Sequence, residues 1–142
     1  MDIKFIKRSL FQRIFGLPKT EKPVAADCWV YKEGKLIIDL VKTSELKIPG
    51  GAVRFEGKNL PIRILVVFGE DGVYRAFRNQ CTHFGHRRLD PVPGTNTVQC
   101  CSINKSTFDS NGNNVFGPAP HAIHCHPLEK SQGKLTVLIV DQ

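Results

Sequence analysis

The side chains able to hold a soft metal centre are gathered late in this chain. Cys81 and His83 are one residue apart, and His86 follows. Cys100 and Cys101 are adjacent, and His121, His124, Cys125 and His126 form a third group. Thiolate and imidazole together suit zinc or an iron–sulfur cluster, whereas oxygen-rich donor sets suit magnesium and calcium. With Cys28 there are five cysteines. An odd count, with no signal-type apolar stretch at the start, argues against a secreted disulfide framework. The expected compartment is a reducing cytoplasm, with thiols serving as ligands or as core packing.

The elements that must position these groups read as β. The 142 residues suit one domain, and their 41% hydrophobic and 23% charged content is that of an ordinary globular protein. No apolar run approaches the ~20 residues that span a bilayer. Residues 1–17 place Ile3, Ile6, Leu10, Ile14 and Leu17 at helical spacing, with Lys4, Lys7, Arg8 and Arg13 largely on the other side, and Gly16 and Pro18 at the end. This predicts an amphipathic helix docked on the chain's own body or on a second copy, in preference to a membrane surface. An extended linker carries the chain to residue 27, and a β domain occupies 28–142. Strands are predicted at Trp29–Tyr31, Lys35–Leu40, Ala52–Phe55, Ile62–Phe68, Val73–Arg78, Thr97–Gln99, Asn114–Phe116 and Lys134–Val140. The turn Gly69-Glu70-Asp71-Gly72 makes a hairpin of the fourth and fifth. No repeat or low-complexity tract interrupts the pattern.

The run Ala76-Phe77-Arg78-Asn79-Gln80-Cys81-Thr82-His83-Phe84-Gly85 resembles the first ligand loop of Rieske 2Fe–2S proteins, A-x-x-N-x-C-x-H-x-G, and Leu89 fits as well. The second loop of that family, C-P-x-H-G-S-x-F-D, is similar to Cys101-Ser102-Ile103-Asn104-Lys105-Ser106-Thr107-Phe108-Asp109, followed by a turn at Gly112 and by Gly117-Pro118-Ala119. The resemblance covers about residues 60–140, with ligand loops at about 81–89 and 100–109. It implies an all-β fold of stacked antiparallel sheets with a small cluster-binding subdomain. It also implies a 2Fe–2S cluster held by Cys81, His83 and Cys101, with Asn104 where the second histidine would stand.

The departures bear on chemistry. Ser102 replaces the proline and Lys105 the glycine. Asparagine oxygen is a hard, weak donor for iron beside sulfide, so this cluster is expected to be labile or absent. Cys100, His86 and Lys105 are the further donors within reach by sequence. A register with Cys100 as ligand puts Ile103 in the histidine place. A zinc site drawing on His86 or the 121–126 group is one alternative, and a Rieske fold that has lost its metal is another. Some respiratory Rieske proteins carry a disulfide at the positions of His86 and Ile103. Its absence points to the ferredoxin-like branch. Cys28 and Cys125 read as core packing.

Charge narrows the partners. The net charge is +7, but residues 1–22 carry six of the twenty basic residues and two of the thirteen acidic ones. The remaining chain is only mildly basic, without the aromatic-interleaved stripe of a nucleic-acid binder. Arg87 and Arg88 flank the first loop and read as a solvated flank in preference to a contact for an acidic redox partner or substrate. The resemblance implies an electron-transfer component of an oxidoreductase system, working with a redox protein, in preference to a stand-alone enzyme. The competing reading is a cluster-less or zinc-binding interaction module, with residues 1–17 supporting a homo-oligomer.

Overall fold

The computed structural model describes residues 3–6, 9, 18–82, 87–102 and 105–139. Among these residues, twelve strands form three antiparallel sheets of four. β1 (Trp29–Lys32), β2 (Lys35–Asp39), β12 (Lys134–Leu138) and β11 (Leu128–Ser131) make the first, in that order. β10 (Cys125–His126), β5 (Tyr74–Arg78), β4 (Ile64–Phe68) and β3 (Ala52–Phe55) make the second. β6 (Leu89–Pro91), β7 (Val98–Cys100), β8 (Thr107–Phe108) and β9 (Asn114–Phe116) make the third, smaller sheet.

The second sheet lies between two cores, which explains the sequence of β4. Ile64 and Val66 enter a cluster with Trp29, Leu36, Ile38, Phe55, Leu135 and Val137. Leu65 and Val67 enter another with Phe77, Cys81, Leu89, Val98, Cys100 and Phe108. Successive side chains of a strand alternate between its faces, so a strand covered on both sides must be apolar throughout. The unbroken run Ile64-Leu65-Val66-Val67-Phe68 is that case. Trp29 packs edge-on against Phe55, with centroids 5.4 Å apart, and joins the first two sheets.

The predicted hairpin is present. Gly72 donates to the Gly69 carbonyl (2.9 Å) with a φ of +78°, and β4 pairs with β5 from Ile64–Arg78 to Phe68–Tyr74. β6, β8, β10 and β11 were not foreseen. The two-residue strands β8 and β10 are too short to show a period, and β6 is Leu89, Asp90 and a proline.

The helix expected over residues 1–17 is not seen. Residues 3–6 and 9 are not helical, and the others lie outside the described residues. At residues 3–6 tertiary contacts override the local periodicity. The Ile6 amide donates to Gln99 Oε1 (3.3 Å), Ile6 is buried, and Phe5 meets Phe116 edge-on at 5.0 Å. The expected linker bends at 19–20, turns at its end, where the Cys28 amide donates to the Ala25 carbonyl (3.1 Å), and is tied down. Asp90, itself buried, accepts from the amides of Lys19 (2.9 Å) and Thr20 (2.7 Å), and the Arg54 amide donates to the Glu21 carbonyl (3.0 Å).

Candidate metal centre

The first loop leaves β5 and is closed at its base by a buried asparagine. The Asn79 amide donates to the Arg63 carbonyl (2.9 Å), and Asn79 Oδ1 accepts from the Leu89 amide (2.7 Å). This side chain therefore staples the start of the loop to the start of β6. Two residues on, the Cys81 amide donates to the Arg87 carbonyl (2.9 Å). The Cys101 amide donates to the carbonyl of the next residue, Arg88 (3.0 Å), and Leu89 pairs with Cys100. Both loops thus share one backbone ladder, and Cys81, Cys100 and Cys101 are all fully buried beside it.

The second loop is held from two further directions. The Cys100 amide donates to the Ser106 carbonyl (2.7 Å), and Ser106 Oγ accepts from the Ala119 amide (3.2 Å). Gly117 approaches so closely that a Cβ there would lie 2.7 Å from Ser106 Cα. The segment 117–119 therefore backs the loop, as its Gly-Pro-Ala sequence suggests. Lys105 has a φ of +53°, the left-handed region where side-chain-bearing residues are strained. That is the position at which the resemblance calls for glycine, which supports the register that puts Cys101 in the cysteine place. Lys105→Gly is expected to raise folding stability by about 0.5–1 kcal/mol, the left-handed strain being offset in part by glycine's greater freedom when unfolded. A denaturant midpoint at or below that of the parent would contradict this.

The thiols differ in their neighbours. Cys100 hydrogen-bonds the Cys81 thiol, and this contact together with burial pushes Cys100 far above the ordinary thiol range. The Ser102 hydroxyl, 3.1 Å from Cys100 Sγ, opposes the rise. Cys101 lies within the electrostatic reach of Arg63 and Arg88. All five cysteines are reduced. Cys28 belongs to the first core and Cys125 packs against the second, as expected of packing residues.

Arg88 is not the open, solvated cation that its place in the sequence suggests. Its Nε and Nη2 engage the two carboxylate oxygens of Glu56, the latter at 3.0 Å, and Arg54 Nη1 lies 3.0 Å from the same carboxylate. Burial works against the charge on Glu56, but the two guanidiniums outweigh it and hold the carboxyl below its usual range. The Glu56 bonds hold the Arg88 guanidinium above its own. Nothing in the sequence pairs residue 56 with residue 88.

His83, His86 and Asn104 lie outside the described residues. Of the sequence-predicted donors, the structure places Cys81, Cys100, Cys101 and Lys105 at the two adjoining loops. His121, His124 and His126 stand at the entry to β10 and within it. Among the described residues, no three of His, Cys, Asp and Glu converge on a point that could hold a metal ion. The donors in place fit a cluster in kind, since buried sulfur is what iron with sulfide requires.

Comparisons with known proteins agree with this architecture. The family model described as the Rieske [2Fe-2S] domain matches residues 37–127. No curated protein matches the chain. Among solved structures, the ferredoxin of carbazole 1,9a-dioxygenase from Nocardioides aromaticivorans is similar with a TM-score of 0.55 at 16% identity, over 66% of this chain and 88% of that one. The quaternary ammonium Rieske monooxygenase CntA, in complex with gamma-butyrobetaine, also gives 0.55, at 20% identity, over 90% of this chain but only 34% of its own. At these identities the structural likeness speaks for the fold. With two ligand loops on one backbone ladder and a family match across most of the β domain, the chain belongs to the Rieske [2Fe-2S] domain family.

Proposed function

We propose that this chain transfers single electrons through a 2Fe–2S cluster held by Cys81, His83 and Cys101, with Asn104 at the fourth position. The observation that carries the reading is the pair of rungs from Cys81 to the Arg87 carbonyl and from Cys101 to the Arg88 carbonyl. They bring thiols twenty positions apart in sequence onto neighbouring loops. When bound, the cluster supplies a one-electron couple whose potential depends on its net charge, on hydrogen bonds to sulfur and on solvent exposure.

The chain's own residues shape those quantities. Leu65, Phe77, Leu89 and Phe108 exclude water from the inner side of the loops. Arg63 and Arg88 place positive charge near Cys101. The Asn79 and Ser106 bonds hold the loops in place without a disulfide. The chain works as the electron-delivering component of a larger oxygenase or reductase, in a reducing compartment where its thiols persist. Among the described residues, no helix is long and apolar enough to cross a membrane.

Protein purified without oxygen is expected to be brown, to contain iron and acid-labile sulfide, and to bleach on reduction. Colourless protein that takes up neither after anaerobic reconstitution overturns the proposal; zinc in the same preparation would establish the alternative. A second test addresses the incomplete ligand set. Asn104→His restores an imidazole, and the visible absorbance in air is expected to persist about tenfold longer than in the parent. Equal lifetimes would show that residue 104 does not stand at the ligand position.

A further inference from the structure

Arg78 ends β5, where the first loop begins. The Arg78 amide donates to the His124 carbonyl (2.9 Å), and His126 pairs with Ala76. Alternate residues of a strand share a face, so Arg78, Ala76, His124 and His126 stand on one face of this sheet edge, and Phe77 and Cys125 on the other. The imidazoles of His124 and His126 meet edge-on with centroids 4.5 Å apart. Among the described residues, His124 Nε2 is buried without a hydrogen-bond partner, and His126 is only 4% exposed, with the Leu138 backbone as its polar neighbour. A buried imidazole nitrogen is normally satisfied, so the orphan on His124 marks a place where something else binds.

A cavity of about 360 Å³ opens at this point, lined by Arg78, Gln80, Thr82, His121 and His124, with Cys81 at its wall. Among the described residues, no carboxylate forms an ion pair with Arg78, whereas Arg54, Arg75 and Arg88 each have one. We propose that this cavity binds a carboxylate, held by the Arg78 guanidinium with the His124 imidazole as second donor. A guanidinium presents two parallel N–H groups that match the two oxygens of a carboxylate. Neighbouring His126 is pushed down to about 4 by burial and by His124 and Arg78, so it is neutral near pH 7. Among the described residues, Arg78 is the one guanidinium lining the cavity, and it balances a single negative charge and not the two of a phosphate. The carboxylate belongs to a small free acid or to an aspartate or glutamate of a docking protein. In the second case the partner is seated against the loop that carries Cys81. The site rests on residues outside the proposed ligand set and stands whether or not a cluster is loaded.

Nuclear magnetic resonance of the full-length chain, at ionic strength held constant with sodium chloride, tests this with two carboxylate probes, sodium acetate and hexaglutamate, and with inorganic phosphate for comparison. Saturable shifts of the His124 ring and Arg78 Nε signals are expected with at least one probe, weakened about tenfold or more in Arg78→Gln, the loss of one charge-assisted bond. They are expected to be unchanged in Lys32→Gln, a surface cation on β1. Saturation by acetate identifies a free acid as sufficient; saturation by hexaglutamate alone identifies a protein side chain. Shifts that never saturate, or that are equal in Arg78→Gln, overturn the proposal, as does a phosphate response as strong as that of both carboxylates. If Arg78→Gln does not fold, Arg78→Lys keeps the charge and loses the fork, and binding as tight as the parent's overturns it equally. Iron content, read on the same samples, separates failure of this site from failure of the cluster assignment.

Discussion

Cys81→Ser is expected to leave the reconstituted chain with about a tenth or less of the parent's iron and acid-labile sulfide, by the measure of metal sites whose supporting groups are lost. Cys81 is the residue on which both loops depend: its amide closes the first, and its thiol touches that of Cys100 in the second. Serine oxygen is harder than sulfur and a poor donor to iron beside sulfide. The control is Cys28→Ser. Cys28 is as buried as Cys81, but it sits in the first core, beside Trp29. Each substitution buries a hydroxyl at a cost of about 1–3 kcal/mol, so folding is weakened similarly in both while only one removes a donor. Iron and sulfide per chain, measured beside a denaturant midpoint for each variant, make the comparison. Equal loading of the two variants would mean that Cys81 is a packing residue and that the cluster assignment is wrong.

The second large effect is expected on acidification. His126 lies in the seam where β10 meets β5, and its folded-state value is pushed from 6.5 down to about 4 by burial and by His124 and Arg78, with only the Leu138 backbone favouring the proton. An unfolded chain therefore takes up a proton at this residue before the folded one does. The associated stability is fully present above pH 6.5 and is lost as pH falls through 4. The loss is on the order of 3 kcal/mol, at 1.36 kcal/mol per unit of displacement. Urea midpoints measured between pH 7 and pH 4 should fall accordingly. His126→Phe, which keeps an aromatic ring against His124 and cannot take a proton, should flatten that part of the profile. A slope in His126→Phe identical to the parent's would assign the acid sensitivity elsewhere.

The two ligand loops were legible because their chemistry is local. Cys81 and His83, or Cys101 and Phe108-Asp109, are close enough in sequence for spacing to carry meaning, and the left-handed backbone at Lys105 agrees with the register drawn from that spacing. The first-loop cation was misread for the opposite reason. Arg88 looks open next to its loop neighbours, and only the fold delivers Glu56 to it from β3's end, thirty-two positions earlier. Among the described residues, Arg78 forms no ion pair with a carboxylate, and the sequence presents it as one more residue of a strand.

The residues by themselves determined an all-β chain, its main hairpin, and the order of two sulfur-bearing loops with a Gly-Pro-Ala segment behind them. Alternation, turn glycines and short motifs act over a few positions, so they survive in any fold that uses them. Tertiary structure alone decided that Ile6 lies buried in a non-helical segment, that β4 is covered on both faces, and that the Cys100 thiol meets that of Cys81. It alone gathered the imidazoles of His124 and His126 beside Arg78. Those outcomes depend on strand register and on which sheets stack, where contacts between distant positions outweigh the preferences of any single segment.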